Sequence, residues 1–211
     1  MNYRIQELHS DNPNEEQVAK IKDFCQKAVD ENKHASRANM QVDSWEEKNA
    51  SLLYLLIIEK RFLKEKGGLL LLLLDDQIIA VSGYYLSSFD EKIFILGVRS
   101  WVLKKYRLNL LIANWLLPYQ IEQVKIRRGH TAIISFNEAN KAFAKLIERS
   151  NKNPEIKNKF FFGENYPEIY KDMIYFAKPV KIKNVKQWIL IKKIEPSSFD
   201  WNSILWEEKE D

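Results

Sequence analysis

Cysteine is almost missing from this chain: Cys25 stands alone among 211 residues. A single thiol excludes an internal disulfide and any cysteine-based zinc cluster. It suits a reducing, cytoplasmic setting, with Cys25 as a small buried side chain on a helix. Histidine is scarce too: His9, His34 and His130 are scattered without ligand spacing, so no metal site is expected. Ser135 lies in an apolar stretch with no Gly-x-Ser-x-Gly around it, which argues against hydrolase chemistry. The run Leu69–Leu74 has only six leucines, whereas a bilayer span needs ~20 apolar residues. The opening MNYRIQELHSDN lacks the apolar core of a secretory signal. No membrane association is therefore expected. Charge of one sign is also in short supply: the net charge is +4, with basic and acidic residues interspersed. That balance gives little reason to expect nucleic acid. The basic clusters Lys104-Lys105-Arg107, Lys125-Arg127-Arg128 and Lys178–Lys186 are the exceptions.

What is present is ordinary globular material, 45% hydrophobic and 29% charged, of a length that suits one domain with a substantial core. Residues 1–196 are expected to form that domain and 197–211 an acidic, fraying tail. A first strand is expected at Tyr3–His9, and Asp11-Asn12-Pro13 ends it. A helix follows at Glu15–Asn32, with Val18, Ile21, Phe24, Cys25, Ala28 and Val29 at helical spacing. After a polar loop, a second helix is expected from Trp45 to Lys66, with Gly67 as its C-terminal cap. Leu69–Leu74 reads as a buried strand between turns. Asp75-Asp76-Gln77 leads into a strand at Ile78–Leu86, and Ser87–Asp90 into another at Lys92–Leu103. The three form a meander in the simplest pairing.

The most informative stretch is Glu91–Arg149. It reads as strand, Tyr106-Arg107 turn, helix Asn109–Arg128, strand Ala132–Phe136 and helix Asn137–Arg149. That is the order of a crossover unit. Asn109 is a candidate N-cap, Pro118 predicts a kink and Gly129 a stop. Leu110, Ala113, Leu117, Ile121 and Val124 form the expected buried stripe. A helix N-terminus beside a cationic turn is a place for an anion. Beyond it lie an aromatic segment (Phe160, Phe161, Phe162, Tyr166, Tyr170) and a hairpin of strands Asp172–Ile182 and Val185–Ile194, turning at Lys183-Asn184.

The element order resembles the GCN5-related N-acetyltransferase (GNAT) superfamily over nearly the whole chain. Trp101-Val102-Leu103-Lys104-Lys105-Tyr106-Arg107 is similar to the family's strand end Tyr-Val-x-Pro-x-Tyr-Arg, and Ser135-Phe136-Asn137-Glu138-Ala139-Asn140 to its strand ending in Asn-x-x-Asn. The resemblance implies an α+β fold with a central mixed, mostly antiparallel sheet of six to seven strands and helices on both faces. It implies acetyl-CoA as cosubstrate. Its pantetheine arm would lie on backbone groups of Trp101, Val102 and Leu103. Its pyrophosphate would lie on the turn Arg107-Leu108-Asn109-Leu110-Leu111-Ile112, with Asn137 and Asn140 as further cofactor contacts. Leu110 and Ile112 occupy positions where the family has glycine, or glycine or alanine, and Ile147 falls where its frequent tyrosine acid would stand. The catalytic residue is thus unassigned.

Several residues carry two readings. Arg107 is a phosphate ligand or a solvated helix-start residue, and Asn140 a cofactor contact or an N-cap. Glu91 is a base acting through water or part of a polar turn. His130 is foremost a cation at a helix end. Two functions from different classes follow. One is direct acetyl transfer to a small-molecule or peptide amine, driven mainly by proximity. The other is a non-catalytic binding or structural module whose phosphate turn has degenerated. A nucleic-acid binder using the Lys178–Lys193 hairpin is a weaker third. The exposed aromatic residues and the last hairpin leave room for a homodimer.

Overall fold

Asp75 and Asp76 form a two-residue turn. Both adopt left-handed backbone, with φ of 48° and 65°, the conformation that a two-residue hairpin demands and that Asp tolerates. In the computed structural model, which describes residues 2–32, 51–88, 90–109, 111–137, 173–175, 180–182 and 185–194, this turn joins β2 (Gly67–Leu74) to β3 (Gln77–Leu86). The chain divides into two compact units, Met1–Ser88 with Ile95–Gln123, and Phe89–Phe94 with Val124–Asp211.

In the first unit, β1 (Tyr3–Leu8) pairs antiparallel with β2, from Tyr3 opposite Leu74 to Leu8 opposite Leu69. β2 pairs antiparallel with β3, with a register shift between Leu72 and Leu73. β3 neighbours β4, which runs Ile93–Val102. The leucine run is the centre of the core. Leu69, Leu71 and Leu73 pack with Ile21, Phe24 and Cys25 of helix α1 (Glu15–Asn32), with Leu52, Leu55 and Leu56, and with Phe62. Leu70 and Leu72 point to the opposite face and are equally buried. There the turn Ile112–Leu116 packs on β2 and β3. A strand covered on both faces reads as an unbroken apolar run, as this one does. Asn14 caps α1 through Oδ1, which accepts the Glu16 and Gln17 N–H groups at 2.9 and 3.3 Å.

The expected helix Trp45–Lys66 ends earlier, at Ile58. Residues 45–50 lie outside the described residues. The helical part comprises α2 (Ser51–Leu53) and a π turn at Tyr54–Ile58. Gly67 is the first residue of β2 and not a helix cap. Its N–H does close one turn onto the Leu63 carbonyl at 2.7 Å. The apolar residues Phe62 and Leu63 that extended the helical pattern sit in turns, and Phe62 is buried from there.

In the second unit, β8 (Val185–Lys193) is the common partner. It pairs antiparallel with β5 (Thr131–Asn137), from Thr131 opposite Lys193 to Asn137 opposite Gln187. It also pairs antiparallel with β6 (Met173–Tyr175) and β7 (Val180–Ile182). Both fall within the expected strand Asp172–Ile182, of which residues 172 and 176–179 lie outside the described residues. The segments expected as a loop at 34–44, a helix beyond Asn137 and the aromatic stretch 160–170 lie outside the described residues, as do Asn140, Ile147 and Lys183-Asn184. The architecture is α+β, and every described strand pair with a register is antiparallel.

Candidate functional site

The candidate site is built where β4 ends and a helix begins. β4 is not a regular strand. Gly97 and Arg99 both hold positive φ, 69° and 53°, which breaks the pleat in the manner of a bulge and re-aims the residues that follow. A buried polar relay holds the break in place. The Gly97 N–H donates to Gln120 Oε1 at 3.0 Å, and Gln120 Nε2 donates to Ser82 Oγ at 2.7 Å. Ser100 Oγ lies 2.7 Å from Ser82 Oγ and donates to the Gly97 carbonyl at 2.8 Å. Gln120 and Ser82 are fully buried, so each polar atom needs such a partner. Gln120 is the residue that the apolar-stripe reading of this helix passes over.

Past the break come Trp101 and Val102, half-buried, and Leu103, buried. The Leu103 N–H donates to the Ile79 carbonyl of β3 at 3.0 Å. The chain then turns through a 3₁₀ segment, Lys104–Asn109. Glu31, near the end of α1, caps that segment: its Oε2 accepts the Lys104 N–H at 2.7 Å. Glu31 also pairs with Arg107 Nη2 at 3.6 Å. Arg107 folds back over the strand it has just left. Its Nε donates to the Val102 carbonyl at 3.1 Å, and its guanidinium lies 5.0 Å from the centre of the Trp101 ring. The structure therefore brings Trp101, Val102, Leu103 and Arg107 together with Glu31, a residue that sequence reasoning missed. A glutamate on an exposed helix turn gives no local sign that it will reach a segment 73 residues away.

Asn109 does not act as the N-cap expected of it. The residue before the next helical turn is Leu111, itself helical at φ −58° and ψ −36°, with no side-chain cap bond. The 3₁₀ segment already supplies the approach that a cap residue would otherwise shape. Asn109 instead accepts Asn114 Nδ2 on its carbonyl at 3.4 Å. Leu111 is 2% exposed, with its side chain in the core and not over the helix end, and Ile112 is half-buried. Lys104, Lys105, Arg107 and Asn109 are exposed. Leu110 lies outside the described residues, and for Leu108 and Asn137 only the backbone is described. Asn137 is the last residue of β5.

Pro118 shapes this helix as a widened turn. Ile112–Leu116 is a π turn, and the Leu117 N–H bonds to the Ile112 carbonyl, five residues back. Proline has no N–H to give to the carbonyl four residues before it and clashes with that carbonyl in a regular helix. The π turn removes that conflict. Helix α3 (Leu117–Ile126) then continues regularly, with Leu117, Ile121 and Val124 buried.

Glu91 is exposed in the turn before β4, as its polar-turn reading has it. His130 follows the helix end, with its Nε2 3.8 Å from Asp90 Oδ1 and its Nδ1 2.9 Å from Thr131 Oγ1, while backbone bonds of Arg128 and Gly129 close the helix. Among the described residues, no group of three or more His, Cys, Asp or Glu is placed to hold a metal, and no helix is long and apolar enough to cross a membrane.

No family model matches the chain, and no curated protein matches it. Solved structures do. An acetyltransferase of the GNAT family from Staphylococcus aureus is similar with a TM-score of 0.53 at 13% identity, covering 92% of this chain and 100% of its own. The PaiA N-acetyltransferase of Thermoplasma acidophilum, solved in complex with coenzyme A, is similar with a TM-score of 0.55 at 13% identity, covering 92% and 99%. A GNAT-family acetyltransferase from Streptococcus pneumoniae gives 0.53, 14%, 92% and 99%. The chain thus has the GNAT fold, with a sequence far diverged from these proteins.

Proposed function

We propose that this chain is an acetyl-CoA-dependent N-acetyltransferase that passes the acetyl group directly to an amine. The observation that carries the reading is the junction of a broken β4 with a helix whose first amides have no side-chain cap, in a fold shared with acetyltransferases, one of them solved with coenzyme A. The residues fit a diphosphate in the respect that matters most. Uncapped amides at a helix start carry partial positive charge, the bulk of Leu111 is turned inward, and Lys104 and Lys105 are exposed cations on the same turn.

In this reading Trp101, Val102 and Leu103 line the pantetheine arm. Leu108, Asn109, Leu110, Leu111 and Ile112 present the pyrophosphate turn, and Asn137 and Asn140 add contacts. Arg107 contributes charge, and it braces the turn through Val102 and Glu31. The acceptor nitrogen forms a bond to the thioester carbon, the carbon–sulfur bond breaks, and the amine proton leaves to solvent. The chain's part is to hold the two reactants together, and orientation alone supplies much of an acyl transfer's acceleration. The runner-up reading, a binding module without catalysis, is favoured by one observation: Arg107 already spends its Nε and Nη2 inside the chain.

Melting with coenzyme A separates the two. At ten times its dissociation constant a ligand adds about 1.4 kcal/mol, which for a chain of this size raises Tm by about 3–5 °C. Arg107→Gln should shrink that rise. No rise at millimolar coenzyme A favours the binding module, and an unchanged rise in Arg107→Gln removes Arg107 from the anion site.

A further inference from the structure

Arg99 stands out in the first unit. It is the one charged residue of the β4 sequence IFILGVRSWV and holds a left-handed backbone at φ 53°, a conformation that long side chains seldom adopt. It is half-buried, yet its guanidinium makes no hydrogen bond or ion pair among the described residues. Burial pulls its pKa below the ordinary value, with Tyr85 and Glu59 raising it and Arg61 lowering it further. An arginine stays charged in a protein, so the lowered value marks a cation that lacks a sufficient counter-charge.

β3 runs beside β4 here, with Ser82 Oγ 2.7 Å from Ser100 Oγ and the Leu103 N–H on the Ile79 carbonyl, so Tyr85 lies on the strand next to Arg99, and the groups on Tyr85 are organised. Arg61 pairs through Nε with Glu59, donates through Nη1 to Tyr85 Oη at 3.1 Å and lies over the Tyr85 ring at 5.2 Å. Glu59 is thus matched to Arg61. The set of two guanidiniums and one carboxylate is left with one positive charge, on Arg99. Arg99 also stands two residues before Trp101 in β4. A group bound at Arg99 is therefore close to the strand end that the proposed function assigns to the thioester arm.

Resting on that reading, we propose that Arg99, with Tyr85 and Arg61 beside it, recognises a carboxylate on the acceptor, so that the amine acetylated belongs to an amino acid or a peptide terminus and not to a polyamine. A single excess positive charge suits a carboxylate better than a doubly charged phosphate, and a guanidinium can bind a carboxylate through two parallel N–H bonds.

The test compares amino acids with their carboxamides and their aminophosphonate analogues, following coenzyme A thiol release from acetyl-CoA with the full chain. The carboxylates should exceed their carboxamides at least tenfold in kcat/KM. Arg99→Asn, which tolerates the left-handed backbone, should bring that ratio within twofold, and Arg99→Lys should restore part of it. A persistent melting rise with coenzyme A shows that each variant is folded. The proposal is overturned if carboxamides or phosphonates serve equally well, if no panel member is acetylated while coenzyme A raises Tm, or if Arg99→Asn keeps the preference. Absence of any coenzyme A effect on the wild-type chain is the separate failure of the transferase reading, and the acceptor assignment falls with it.

Discussion

Cys25 is as inert as a thiol becomes. It packs against the leucine strand, and burial lifts its pKa from the ordinary 9.0 to about 11. The neutral form is therefore favoured in the folded state, and the sign of the pH effect follows. Below pH 9 both folded and unfolded chains keep the proton, and stability is unaffected. Between pH 9 and about 11 the unfolded chain ionises first, so stability falls. Urea midpoints measured from pH 8 to pH 11 should drop more for the wild type than for Cys25→Ala, and equal slopes would contradict the burial. The same thiol should react with a disulfide reagent at pH 8 at least ~100-fold more slowly in native protein than in urea. Cys25 was legible in the sequence because helical spacing alone puts it beside Ile21 and Phe24. Arg99 was not, since neither its backbone conformation nor its lack of a partner is written in its neighbours.

At the scale of elements, the end of α3 shows how far local signals reach. Glycine after the last helical residues predicts a stop, and the helix does stop there. The left-handed residue, however, is Arg128 at φ 56°. Its N–H bonds to the Lys125 carbonyl and that of Gly129 to the Val124 carbonyl, both at 2.9 Å, which is the pair of bonds of a Schellman end. Gly129 is needed for space, because a Cβ there would come within 2.5 Å of Val124 Cγ1 and 2.7 Å of Phe94 Cδ2. The two positions should therefore respond in opposite directions. Arg128→Gly relieves left-handed strain of about 1 kcal/mol, offset in part by the freer unfolded chain, and should be neutral or slightly stabilising. Gly129→Ala should cost about 1–3 kcal/mol through overpacking. Thermal unfolding of both variants checks this. The sequence pattern marks the punctuation of the element, but which of two adjacent residues carries the strain depends on Phe94, far away in the chain. The same limit hid Gln120 and Glu31, whose partners are brought in by the fold, while Pro118 announced its disturbance because proline acts on its own helix turn.

At the scale of the whole molecule, the element order and the antiparallel pairing of the described strands were readable because apolar runs and turn pairs each act within a few residues. The helix ending at Ile58 instead of Lys66 was not, because Phe62 keeps the helical apolar rhythm while being buried from a turn. The leucine strand tests the layered design most directly. Were β2 covered on one face only, adjacent residues would differ sharply in cost when truncated. Here Leu70 is 0% and Leu71 is 1% exposed, one facing the layer with the Ile112–Leu116 turn and the other facing α1. Leu70→Ala and Leu71→Ala should each destabilise by about 2–5 kcal/mol, the transfer and cavity cost of a buried leucine. Because the strand backbone separates the two cavities, the double variant should lose close to the sum, within about 0.5 kcal/mol if neither face relaxes into the other. Urea unfolding of the three variants decides it. A cheap substitution at either position would mean that one face of β2 is open to solvent, and the two-sided cover over the strand next to β3 would have to be given up.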